Sequence, residues 1–227
     1  MKLSALTFFS LAFVMAVSLS WAQQKGPGTL YEIKRDGKVG FINRQGKEVV
    51  PPRFDDVRGK FKEGMARIEV KDMWGFMDKN GVVVINPVYS DSDDFCEGMA
   101  RVKSEDKWGF VDHSGKLKIL PEYDDAGNFS DGLAKVKIKK LWGFVDKSGK
   151  KVVPLEYKDA DDFSEGLGRI RTSENKWGYV NKGGKVVIKP VFDSADPFLD
   201  GLAQVEMNGK KGYIDRSGKF IWGPEKD

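Results

Sequence analysis

The stretch WGFVDKSGKKVVP, Trp142 to Pro154, decides the fold because the chain writes it again and again. Near-copies stand as WGFMDKNGVVVINP (Trp74 to Pro87), WGFVDHSGKLKILP (Trp108 to Pro121) and WGYVNKGGKVVIKP (Trp177 to Pro190). The four tryptophans are separated by 34, 34 and 35 residues. Degenerate copies flank them: Val39 opens VGFINRQGKEVVPP, and Lys211 opens KGYIDRSGKF. Other landmarks keep step. An aromatic lies 15 residues after each of the first five openings (Phe54, Tyr89, Tyr123, Tyr157, Phe192), and a second follows at 21 or 22 (Phe61, Phe95, Phe129, Phe163, Phe198). A fixed period of this length is the signature of a repeat architecture. Six units span residues 30–222, with openings near 39, 74, 108, 142, 177 and 211.

Each unit reads as strands. LAKVKI (Leu133 to Ile138) alternates apolar and polar residues with period two. In WGFVD, Trp142 and Phe144 share one face, with Gly143 and Val145 on the other. KKVVP is a third strand rich in β-branched residues, which its proline is expected to stop. Between the last two lies Asp146-Lys147-Ser148-Gly149, with Asp and Gly where a type I turn with a left-handed closing residue needs them. All six units carry Asp or Asn and Gly at these positions. The link YKDADDFSEG (Tyr157 to Gly166) lacks strand periodicity, and Asp162 with Glu165 suggests a one-turn helical cap. The expected fold is all-β: an array of about six three-stranded antiparallel meanders. An open stack or superhelix is favoured. The alternative is a closed β-propeller, whose blades take four strands and commonly 40–45 residues.

The pattern W-G-[FY]-[VM]-[DN]-x-x-G, then x-P and an aromatic, then F-x-[ED]-G-[LM], resembles the WG-repeat (KWG-repeat) family of bacterial proteins. The resemblance implies a β-rich array, an exported or surface location and a binding role, and it supplies no catalytic residue. Val39 and Lys211 depart from it at the tryptophan position.

A sheet of about 34 residues cannot bury enough surface alone, so each unit must cover an apolar face with a neighbour. Trp74, Trp108, Trp142 and Trp177 are the largest side chains for that purpose, each burying roughly 150–250 Å². Gly75, Gly109, Gly143 and Gly178 leave room on the opposite face for a close backbone. The end units have no outer neighbour, which fits their loss of tryptophan. In the competing reading the same four tryptophans form a platform for sugar faces or choline-like cations.

The N-terminal segment MKLSALTFFSLAFVMAVSLSWAQQ is a different object. Lys2, an apolar run and small residues at Ser20 and Ala22 read as a signal peptide, residues 1–22, cleaved after Ala22. A short linker, 23–29, and a tail, 223–227, bound the repeats. The expected location is exported, periplasmic or extracellular, with no membrane span in the mature chain.

Lysine plus arginine number 38 against 34 aspartate plus glutamate, mostly interspersed within each unit, unlike the concentrated basic face of a nucleic-acid binder. No nucleic-acid partner is expected, nor any metal or cofactor. Cys96 stands where sister units have serine and can form no disulfide within the chain. His113, the single histidine, falls on an exposed turn position and has no nucleophile at fixed spacing. The pairs Asp93/Asp94 and Asp161/Asp162 recur across units, whereas an active site is singular; DSDDF (Asp91 to Phe95) lacks calcium-loop order. The reading is of a non-catalytic exported binding or scaffold module contacting protein or cell-envelope polymer. Carbohydrate binding through exposed tryptophans is the alternative.

Overall fold

The computed structural model describes residues 29–223. The proposed signal peptide, nearly all of the linker and all but the first residue of the tail lie outside that range. Every regular element is a strand, and the strands form six separate antiparallel sheets in chain order. Unit 4 shows the plan. Asp125–Ala126 pairs with Leu133–Ile138, which pairs with Leu141–Asp146, which pairs with Lys151–Tyr157. Units 2 to 6 have four strands each, and unit 1 has three: Tyr31–Arg35, Lys38–Ile42 and Glu48–Phe54.

The three-strand expectation is therefore corrected. The extra strand is only two residues in units 3 to 6, too short to show a period, and it lies inside the stretch read as a loop. The helical cap is corrected as well. Glu165 and Gly166 have φ of 51° and 78°. Two left-handed residues in succession make a tight type I′ hairpin, not a helical turn. Ser164 and Leu167 close it, each N–H donating to the other's carbonyl at 2.9 and 3.1 Å.

The proline does not stop its strand. Trp142 is opposite Tyr157 and Phe144 is opposite Val153, so four steps on one strand match two on the other. Pro154 sits in this bulge, where the ladder asks for no N–H. The bulge carries the strand backbone across Gly143: a Cβ there would lie 2.5 Å from the Val153 carbonyl oxygen. Gly40, Gly75, Gly109 and Gly178 are crossed in the same way, at 2.3 to 2.6 Å.

The core is divided among the unit boundaries. Trp108, Phe110, Ile119 and Tyr123 on one face of unit 3 pack against Ala126, Phe129, Ala134, Val136 and Val145 of unit 4. The same scheme joins units 1 and 2, 2 and 3, 4 and 5, and 5 and 6. The array is open, since the first and last sheets share no strand pairing and the main contacts between units join consecutive ones. Both ends carry polar side chains beside exposed aromatics, Tyr31 at the first and Tyr213 and Trp222 at the last. Arg35 reaches Glu48 at 2.8 Å across unit 1, while unit 6 presents exposed Lys211 and a hydrogen bond from Gln204 to the Tyr213 hydroxyl at 3.0 Å.

Candidate binding surface

The alternation that aims Trp142 and Phe144 at unit 5 aims Lys135 and Lys137 the same way, because they are opposite Phe144 and Trp142. Each indole is consequently faced by cations. Arg58 and Arg67 lie 4.7 and 5.8 Å from the Trp74 ring centre, and Arg101 and Lys103 lie 4.5 and 5.9 Å from that of Trp108. Lys135 and Lys137 approach Trp142 at 5.7 and 5.2 Å; Arg169 and Arg171 both approach Trp177 at 5.2 Å. Trp74 and Trp108 are buried, with 5% and 9% of their surface exposed, whereas Trp142 and Trp177 are half-buried. The ring quadrupole attracts the cations, and their aliphatic stems cover the indole.

The same cations hold the carboxylate pairs. Arg67 lies 3.5 Å from Asp93 and 3.0 Å from Asp94, and Arg101 is 2.5 Å from Asp93. Lys135 reaches Asp161 at 3.3 Å and Asp162 at 3.6 Å. The contacts of Arg67 and Lys135 cross from one unit to the next, while that of Arg101 with Asp93 stays within unit 3. Among the described residues no group of three or more histidine, cysteine or carboxylate side chains is placed to hold a metal ion.

The glutamate of the F-x-[ED]-G hairpin has a function that sequence reading missed. Glu63 Oε2 accepts the Gly98 N–H at 2.9 Å, and Glu97 accepts that of Gly132 at 2.9 Å. Asp131 and Glu165 do the same for Gly166 and Gly201, at 2.8 and 3.0 Å. A carboxylate in one hairpin thus ties down the hairpin of the next unit. Its signal was present in the sequence as the acidic residue before each glycine. The phenylalanine two residues earlier locks the same joint: Phe163 meets Phe144 of the preceding unit edge-on, with ring centres 4.9 Å apart.

His113 differs from the expected free turn residue. Its ring stacks on Phe95 at 4.2 Å, and Nε2 lies 3.3 Å from Glu63. Cys96 is partly buried, and burial pushes its thiol pKa up, which disfavours the reactive thiolate. Tyr123 is fully buried, and Tyr179 donates to the Asp196 carbonyl at 2.7 Å. Burial raises both phenol pKa values.

A profile of the WG-containing repeat matches five consecutive segments, residues 40–73, 74–108, 108–142, 142–177 and 177–210. The chain belongs to the WG-containing repeat family. No curated protein sequence matches this WG-repeat chain. Among solved structures, a eukaryotic initiation factor superposes with a TM-score of 0.52 at 9% identity, over 85% of this chain and 62% of that one. The WG-repeat chain therefore spans less than two thirds of that relative, and at this identity the likeness is one of fold. BamB from Moraxella catarrhalis gives 0.42 at 10% identity, over 85% of this chain and 68% of that one. The WD40 β-propeller domain of Doa1 gives 0.36 at 11%, over 86% and 78%.

Proposed function

We propose that the WG-repeat chain is a non-catalytic binding scaffold that is exported by its N-terminal segment and contacts protein or cell-envelope polymer. One observation carries this reading. Polar groups that could do chemistry recur with the units and are spent on holding the array together: carboxylates on N–H groups and cations on aspartates of the next unit, and cations on indoles within a unit. Extended arrays of this kind offer long surfaces for partners. Its family membership and its fold likeness agree with such a role.

The test uses residues 23–227 as bait in a pull-down from envelope extract. Capture of a discrete protein or polymer, removed by competition with untagged chain, is the expected result. Hydrolysis of an envelope polymer by the purified chain would contradict it.

Carbohydrate recognition is a second reading, favoured by the partial exposure of Trp142 and Trp177. It predicts that their fluorescence shifts on adding cell-wall oligosaccharide. No shift at millimolar oligosaccharide would eliminate it.

A further inference from the structure

The hairpin turns between the last two strands of the six units lie in a row. The turn glycine of each unit rests against the last strand of the unit before it: Gly81 on Val50, Gly115 on Ile85, Gly149 on Ile119, Gly184 on Val152 and Gly218 on Ile188. Stacked sheets are about 10 Å apart, so neighbouring turns recur at about that spacing.

Two positions of these turns send mostly basic side chains into solvent. The position after the first turn residue holds Arg44, Lys79, His113, Lys147, Lys182 and Arg216. The position after the glycine adds Lys47, Lys116, Lys150, Lys185 and Lys219. All but His113 are exposed, and of these ten cations only Lys147 has an ion-pair partner, Glu97 at 3.3 Å. The acidic groups nearby are engaged in hydrogen bonds. Asp146 takes N–H bonds from Ser148 and Lys150 at 2.9 and 3.1 Å, and the hairpin carboxylates take the glycine N–H bonds described above. The turn carboxylates are thus tied to backbone N–H groups, and ten exposed cations stand against four turn aspartates. Turns about 10 Å apart lie within one Debye length at 0.1 M salt, so their fields add.

We infer that this ridge binds a linear phosphate-bearing polymer. A single phosphate would meet one turn only, whereas a chain could lie along all six. The ridge has none of the aromatic platforms on which single-stranded nucleic acids stack. Its one ring, His113, is already stacked on Phe95. Charge is what the ridge can read. The inference rests on the scaffold reading and names the polymer class for it.

The experiment measures binding of labelled inorganic polyphosphate to the intact chain by anisotropy at 50 and 200 mM salt. The ridge variant Lys79→Glu/Lys116→Glu/Lys182→Glu is compared with Lys71→Glu/Lys139→Glu/Lys140→Glu, which changes the net charge equally at the opposite turns. Circular dichroism melts confirm that both fold. The ridge variant is expected to lose at least tenfold in affinity and the control less than threefold. The salt slope of log affinity should fall by about 0.7 for each contact removed. Equal losses in the two variants, or no binding of polyphosphate by the unmodified chain at 50 mM salt, would overturn the inference. Tighter binding of oligo-dT than of polyphosphate would overturn it too, in favour of nucleic acid. Should the ridge fail while the pull-down still captures a partner, the scaffold reading stands without it. Polyphosphate binding accompanied by turnover would instead remove the scaffold reading.

Discussion

Glycine 143 has no freedom to change, because the bulged strand crosses its Cα with the Val153 carbonyl 2.5 Å from where a Cβ would stand. Gly143→Ala should cost about 1–3 kcal/mol, as overpacking of a filled interior does, read as a lower urea midpoint. Glycine conformation is not the issue there; at Gly149, with φ of 85°, it is. The tryptophan before Gly109 tests burial instead. Trp108→Ala should cost about 3–5 kcal/mol, and Trp177→Ala distinctly less, since that ring is half-exposed. Equal losses at the two positions would show that exposure does not grade them. Cys96 offers a gain. In its place, Ser130 and Ser164 donate to the Phe163 and Phe198 carbonyls of the next unit at 2.8 and 2.7 Å. Cys96→Ser should therefore stabilise the fold by about 0.5–1.5 kcal/mol, measured by denaturant titration.

At the scale of the element, the hairpin turn is where pH acts. The Ser148 hydroxyl, then backbone N–H groups, hold the Asp146 carboxyl below its ordinary value of 3.8; Ser114 and Ser217 do the same for Asp112 and Asp215. Lys38, Lys107 and Lys176 lower Asp55, Asp124 and Asp193. A carboxyl depressed in the folded state contributes stability that is present above its unfolded value and lost as pH falls through the folded one. The melting temperature should accordingly hold from pH 7 to about 5 and drop below about 4. Asn43 and Asn181 accept the same two N–H bonds from their turns, at 3.0 Å each, without titrating. Asp146→Asn should thus leave stability at pH 7 nearly unchanged and shrink the acid loss, whereas Asp146→Ala should cost about 1 kcal/mol at pH 7 and less in acid, where the native carboxyl has already lost its contribution.

This turn was fully legible in the sequence, because Asp, Gly and their spacing are local requirements. The two-residue strand at Asp125–Ala126 was not, because its pairing depends on a strand eight residues away and two residues carry no period. The DDFSEG stretch gave a helical cap for a related reason. An acidic residue beside glycine suits both a cap and a type I′ turn, and the choice is made by Gly201 of the next unit, which Glu165 must reach.

Across the whole molecule, period, strand faces and open ends were readable, since stacking units must alternate large and small faces. The roles of the charges were not: sequence shows lysine and aspartate interspersed, and only the turn geometry ties the aspartates to backbone N–H groups while the lysines extend into solvent. The central physical claim is that each unit completes its core only against the next. A double-mutant cycle of Phe144→Leu and Phe163→Leu tests it most directly, because those rings face each other across a unit boundary. The account predicts a coupling of about 0.5–1.5 kcal/mol for this pair, against additivity within about 0.5 kcal/mol for Phe76→Leu with Phe163→Leu, which lie in distant units. Additivity of Phe144→Leu with Phe163→Leu would contradict it.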